Sequence, residues 1–262
     1  MKIADAHAHI FPVKIAAKAT GSIGSFYQTD MFADASDQNI LEAGDKIGVS
    51  KYLVCSSAVT PEQAFNINEF IADECRKQPR FLGFAALHPL MEDYKEEIAH
   101  AKSLGLRGVK IHSDFQKVDI DNQKSIDFYR EIARKNLPVL FHMGDDRYDY
   151  SSPDRLQNLM RQVPDLVVLA AHFGGYMRWD EAGKLVPNEN LYFDTSSSLT
   201  VIDKNKALSL IEKFGVDKFF FGTDFPMWDP EEELERFYFL GLSQSENEKI
   251  LYNNFAKLFK LD

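Results

Sequence analysis

The sequence holds only two cysteines in 262 residues, Cys55 and Cys75, and they form no CxxC pair. No disulfide framework can be built from them, and reduced thiols in a cytoplasmic protein are the expectation. Positive charge is scarce too, with 30 Lys and Arg against 40 Asp and Glu and a formal net charge of -10. Non-specific nucleic-acid binding relies on basic patches, so no nucleic-acid partner is expected. No apolar run approaches the ~18 residues needed to cross a bilayer, and the opening MKIADAHAHI turns polar too early for a signal peptide. No membrane partner is expected either. GxSxG, P-loop and HExxH motifs are all missing, which leaves serine-hydrolase, nucleotide-phosphotransferase and zincin chemistry without support.

What is present is an ordinary globular composition, 45% hydrophobic and 27% charged, which excludes a disordered or fibrous chain. Short apolar runs alternate with stretches of helical spacing along the whole length. Strands are expected at residues 2–9, 50–56, 81–87, 108–113, 138–144, 166–173, 191–196 and 219–224. Runs such as VVLAA and FFFG are nearly continuous, as in parallel strands buried on both faces. Helices are expected between them. Thr60-Pro61-Glu62 and Ser152-Pro153-Asp154 each place a cap, a proline at the first helical position and an acid in the first turn. Residues 37–47, 93–103, 125–136, 203–214 and 245–259 carry apolar residues at three- and four-residue steps. EEELERF, inside residues 230–240, reads as a solvated helical face.

Eight strands alternating with helices admit a closed (β/α)8 barrel or an open doubly wound sheet. The count favours the barrel, and no GxGxxG opens the first strand–helix turn. No linker or shift in composition splits the chain, so residues 1–262 are expected to form one α/β domain, a (β/α)8 TIM barrel. Residues 11–36 and 174–190 are longer than usual βα loops and would sit on the rim where barrels build active sites.

Five of the seven histidines fall at the downstream ends of these strands: His7, His9, His112, His142 and His172. A lone histidine in a strand is more often a hydrogen-bonded core residue than a ligand, so position carries the argument. C-terminal strand ends are where a barrel keeps its catalytic groups. His7 and His9 lie two apart and project to the same side of a strand. Imidazole is a common zinc ligand, and a catalytic zinc usually takes three protein ligands and water. His142 offers a third nitrogen, and Asp224 in GTDFP offers a carboxylate from the last strand, next to the first once a barrel closes. Asp224 also reads as a turn residue before Phe225-Pro226. His100 falls inside a helix, and His88 reads as shaping a turn.

The segments DAHAHIFP, GVKIHS, PVLFHMG, AAHFGG and GTDFP stand in this order along the chain. Together they make it similar to the amidohydrolase superfamily, in its amidohydrolase-2 branch, which also contains aminocarboxymuconate-semialdehyde-decarboxylase-like enzymes. The resemblance implies a (β/α)8 barrel with a divalent metal, one zinc per chain. It implies His7, His9, His142 and Asp224 as metal ligands, with Asp224 also close to the metal's water. His172 matches the family's catalytic histidine, and His112 lies where some members face substrate. Binuclear relatives use a carboxylated lysine at the end of strand 4. Here His112 occupies that end and Lys110 lies two residues deeper, which argues against a bridged pair. Members of such families often pair, so a homodimer is the corresponding expectation.

The first reading is a metal-dependent hydrolase: a metal lowers the pKa of its water toward ~7 and His172 or Asp224 moves the proton. The alternative is a metal-dependent non-oxidative decarboxylase on the same barrel. A third is a metal-free isomerase or binding protein whose histidines bond to one another. Arg147, Tyr148 and Tyr150 follow strand 5, and Arg178 and Trp179 lie in the long segment after strand 6. Arginine can hold a carboxylate through two hydrogen bonds, and aromatic rings can cover a planar group. A small carboxylate-bearing ester, lactone or amide is the expected substrate, with His112, Arg147, Tyr148 and Arg178 binding it.

Overall fold

The computed structural model of the protein describes residues 1–261. In chain order its elements are β1 (Ile3–His9), α1 (Val13–Tyr27), α2 (Asp37–Asp45), β2 (Val49–Cys55), α3 (Ala64–Lys77), β3 (Phe81–Gly83), β4 (Ala85–Ala86), α4 (Tyr94–Ser103), β5 (Val109–Ile111), α5 (Ser113–Gln116), α6 (Ile126–Arg134), β6 (Val139–Phe141), α7 (Pro153–Gln162), β7 (Val168–Ala170), α8 (Trp179–Ala182), β8 (Leu191–Asp194), α9 (Lys204–Phe214), β9 (Phe219–Phe220), α10 (Pro230–Phe239), α11 (Gln244–Glu248) and α12 (Asn254–Phe259). Strand and helix alternate as the periodicity requires. No helix among the described residues is long and apolar enough to cross a membrane.

The chain divides into two compact units: residues 1–55, 74–82 and 195 onward form the first, and residues 56–73 and 83–194 the second. In the first unit β1 and β2 run parallel, with Ala8 opposite Val54 and His9 opposite Cys55. The other edge of β1 bonds to the chain around and beyond β9. Ala6 N–H donates to Phe221 O at 2.8 Å, Asp224 N–H to His7 O at 2.8 Å, and His9 N–H to Phe225 O at 2.7 Å. Its interior is aromatic: Phe221 meets Phe237 edge-on at 5.8 Å and Phe220 meets Phe255 at 6.3 Å. Each such buried ring stabilises the unit by roughly 1.5–3 kcal/mol. In the second unit β4 to β8 form a parallel ladder in sequence order. Val109, Ile111, Val139, Phe141, Val168 and Ala170 are all fully buried there, which is why these strands read as unbroken apolar runs.

Five expectations need correction. The third strand is not continuous over 81–87 but breaks at Phe84, whose ring fills the space that a Cβ on Gly108 would occupy. Residues 11–36 are not a bare loop, because α1 occupies most of them. Its buried face is Ala16, Thr20 and Gly24, too small to give a hydrophobic periodicity. The closing helix is interrupted by a wide turn at Lys249–Asn253, which parts α11 from α12. His172 does not end a strand but starts the tight turn His172–Gly174, at φ 60°.

The charge run on α10 is also not wholly solvated. Glu233 is fully buried, accepting from Arg236 Nη1 at 2.7 Å through Oε1, while its Oε2 has no hydrogen-bond partner among the described residues. Burial pushes its carboxyl up to about 7, outweighing Arg236, and the charges of Asp224 and Asp5 push the same way. The folded state therefore keeps a proton that the unfolded chain loses near pH 4.5. Stability falls as pH rises from there to about 7, by about 3 kcal/mol for this group alone. Urea melts in chelator between pH 4.5 and 8 are expected to show that loss in the native chain and a flatter profile in Glu233→Gln. Parallel profiles would contradict it.

Candidate metal centre

In the first unit the pleat of β1 turns His7 and His9 the same way, with ring centroids 5.3 Å apart. The backbone bonds from Phe225 and Asp224 to β1 bring the Asp224 side chain to them. Its Oδ1 lies 3.5 Å from His7 Nε2 and 3.2 Å from His9 Nε2. Asp224 is both of the things its sequence context allowed: a turn residue at φ 57° and a carboxylate beside the histidines. Gly222 leaves room for this approach, since a Cβ there would lie 3.1 Å from that of His7. Asp5, fully buried beneath, accepts from His7 N–H at 3.1 Å, Thr223 N–H at 3.0 Å and the Thr223 hydroxyl at 2.6 Å. It ties the start of β1 to the segment carrying Asp224.

The remote atoms of all three groups are engaged. Ser196 Oγ is 3.0 Å from His7 Nδ1, and Cys55 Sγ is 3.8 Å from His9 Nδ1 while donating to Ala8 O at 3.5 Å. Ser197 donates to Asp224 Oδ2 at 2.6 Å. Such partners set which imidazole nitrogen carries the proton and leave Nε2 for a cation. His7, His9 and Cys55 offer donor atoms within 4.8 Å of one another. Two imidazoles and a carboxylate oxygen gathered at short range, with their far sides hydrogen-bonded, fit a divalent ion of the zinc or manganese kind. Nothing in the sequence marked Cys55, Ser196 or Ser197 for this. The only available signal was their place at the ends of strand runs, shared by many residues without such a role.

In the second unit His142 is the hub. Its Nδ1 lies 3.0 Å from His172 Nε2, and its Nε2 lies 3.3 Å from Asp114 Oδ2. His112 stacks on it at 4.1 Å and on Phe115 at 3.7 Å, so three rings lie nearly parallel. Asp114 is buried, and neither of its carboxylate oxygens has a hydrogen-bond donor among the described residues. His172 is held by its backbone. Its N–H donates to Asp194 Oδ1 at 3.0 Å, and its carbonyl accepts from Trp179 Nε1 at 3.0 Å. Nothing in the sequence marks Asp114 or Asp194, because a lone aspartate just past a strand, or at its last residue, looks like many others.

The arginines have local partners. Arg147 makes a two-pronged pair with buried Asp145, at 2.9 and 2.6 Å. Burial pushes the Asp145 carboxyl up, but the hydrogen bonds and charge of Arg147 prevail and hold it below the usual range. Arg178 bonds to Glu181 through two nitrogens and to Asp149 at 2.6 Å. Tyr148 is exposed, stacks on Tyr150 at 6.0 Å and lies under the Arg147 guanidinium. Arg147 thus organises its own loop, and Arg178 ties its turn to the loop carrying Asp149, 29 positions away. The remaining histidines behave as their positions indicated: His100 sits on α4 3.1 Å from Glu69, and His88 Nδ1 accepts from Leu90 N–H within a turn.

Known proteins share this framework. A γ-resorcylate decarboxylase from Rhizobium sp. (strain MTP-10005) is 26% identical, with 77% of each chain covered. A solved TIM-barrel protein from Bordetella bronchiseptica is similar over 100% of this chain and 99% of its own, at 18% identity and a TM-score of 0.80. A dihydroxybenzoic acid decarboxylase from Polaromonas sp. JS666, solved with manganese and the inhibitor 2-nitroresorcinol, is 18% identical with a TM-score of 0.73, covering 99% of this chain and 97% of its own. A probable 2-pyrone-4,6-dicarboxylic acid hydrolase from Acinetobacter baumannii, solved with citric acid, is 17% identical with a TM-score of 0.73, covering 99% of this chain and 100% of its own. These likenesses show the fold, an α/β architecture of the (β/α)8 barrel type. The amidohydrolase family model (Amidohydro_2) matches residues 4–261, and the chain accordingly belongs to the amidohydrolase family, as an enzyme of its amidohydrolase-2 branch.

Proposed function

We propose that this protein is a metal-dependent, non-oxidative decarboxylase of small aromatic carboxylates. The observation that carries the metal part is the convergence of His7 Nε2, His9 Nε2 and Asp224 Oδ1 with their outer atoms engaged. Decarboxylation is favoured over hydrolysis because the curated sequence relatives are γ-resorcylate decarboxylases. The proposed ligand set is His7, His9 and Asp224, for one divalent ion per chain, with zinc the ion the imidazoles favour. Such an ion would bind a substrate carboxylate and withdraw charge from it as carbon dioxide departs.

The rest of the work falls to the chain's own groups. Loss of carbon dioxide from an aromatic carboxylate leaves an electron pair on a ring carbon, which must take up one proton. His172 is the proposed donor. Its backbone is held by Asp194 and Trp179, and its Nε2 faces the imidazole of His142, so the ring is oriented before substrate arrives. His112, sandwiched between His142 and Phe115, holds the His142 ring in place from behind.

The hydrolase reading has its own support in the 2-pyrone-4,6-dicarboxylic acid hydrolase likeness. In it His172 or Asp224 accepts a proton from water, and no proton is delivered to carbon. A panel of 2,6-dihydroxybenzoate, 5-carboxyvanillate and 2-pyrone-4,6-dicarboxylate, run in deuterated and in 18O-labelled water, separates the two. The expected result is carbon dioxide release from a hydroxybenzoate with deuterium on the ring carbon and no 18O in the product. Turnover of the pyrone alone, with 18O incorporated, would replace this reading by the hydrolytic one.

A further inference from the structure

We propose that Ser197 is the positioning residue of Asp224, backed by the indole of Trp228, and that this pair presets the carboxylate for the cation. The inference rests on the metal reading above. Ser197 Oγ donates to Asp224 Oδ2 at 2.6 Å, and Trp228 Nε1 donates to Ser197 Oγ at 2.9 Å. The direction of this chain follows from its chemistry. An indole N–H can only donate and a carboxylate can only accept, so the hydroxyl between them must receive from one and give to the other. The competing acceptor for the hydroxyl proton, Met227 Sδ, lies farther away at 3.6 Å and is a thioether. By contrast, the bond between Ser196 and His7 can run either way according to the tautomer.

The geometry is held against local preference. Ser197 and Asp224 both have left-handed backbones, at φ 51° and 57°, a conformation that costs an L-residue roughly 1–2 kcal/mol. Asp224 is kept there by its N–H bond to His7 O and by Met227 N–H donating back to Asp224 O at 2.9 Å. Ser197 is nearly buried, at 4% exposure, so water does not easily replace its hydroxyl. With Oδ2 committed, Oδ1 is the oxygen presented to His7 and His9, and rotation of the carboxylate is restrained. A cation then meets an oriented single-oxygen ligand and does not have to order one.

The test is zinc binding by the full-length chain, measured by competition with a chelator, together with Trp228 emission in a Trp179→Phe background. Ser197→Ala is expected to weaken zinc binding by roughly 10–100-fold, the usual cost of losing a group that orients a metal ligand. Trp228→Phe is expected to weaken it by less, in the same direction. In the Trp179→Phe background zinc is expected to change Trp228 emission, and adding Ser197→Ala is expected to remove that response even at saturating zinc. A purely structural serine would not couple the indole to the ion. Ser197→Ala binding zinc as tightly as the parent overturns this proposal alone. If Ser197→Ala fails to fold, unaltered zinc affinity in Trp228→Phe overturns it instead. A parent chain that takes up neither zinc nor manganese overturns the metal reading and this proposal together.

Discussion

Asp224→Asn is expected to lower kcat/KM by on the order of 10³-fold, about 4 kcal/mol of lost transition-state stabilisation, and to leave purified protein with less than one divalent ion per chain. The substitution suits the position, because asparagine tolerates the left-handed backbone that Asp224 adopts at φ 57°. The amide oxygen can still accept from Ser197, so the outer bond survives. What disappears is the negative charge between His7 Nε2 and His9 Nε2, the only anionic donor in the proposed ligand set. A neutral amide is a weaker ligand for a divalent ion and cannot take up a proton at neutral pH. Metal analysis beside steady-state kinetics checks both halves. Native turnover and native metal content in this variant would remove Asp224 from the centre.

His172→Asn is expected to separate proton transfer from metal binding. A fall in kcat of roughly 10²–10⁴-fold is the usual contribution of a positioned acid or base. Metal content should stay at the native level, because the side chain is proposed to face His142 and not the ion. Here too asparagine fits the backbone, since His172 sits at φ 60° with its N–H on Asp194 and its carbonyl on Trp179. The loss is therefore chargeable to the imidazole. If kcat holds, the proton comes from elsewhere, and if metal is lost with activity, His172 belongs among the ligands.

The two variants bear on residues that differ in how readily the sequence disclosed them. His7 and His9 were visible because period-two geometry is local: any strand turns such a pair to one face. Asp224 was visible only through the barrel, because its value depends on what pairs with β1. His172 was placed at a strand end, whereas it opens a left-handed turn, since an apolar run does not announce where the backbone reverses. Arg147 and Arg178 read as carboxylate receptors for substrate, and the structure adds carboxylates of the chain itself: Asp145 two positions from Arg147, and Asp149 29 positions from Arg178. Sequence order gave no warning, because Asp145 and Asp149 look like ordinary loop acids. Glu233 was hidden for the opposite reason. In a run of glutamates only the packing of α10 decides which one loses its water.

Residue order alone determined the alternation of strands and helices, the helix starts after Thr60 and Ser152, and the histidine pair on the first strand. All of these arise from backbone periodicity and near-neighbour chemistry, which act over a few residues. Tertiary structure alone decided the partners of the donor atoms: Ser196 on His7, Cys55 on His9, and Trp228 through Ser197 on Asp224. Those contacts join residues 27 to 189 positions apart, and a hydroxyl or thiol has no periodic signature. Its role is set by which polar atom the packed backbone brings within about 3 Å.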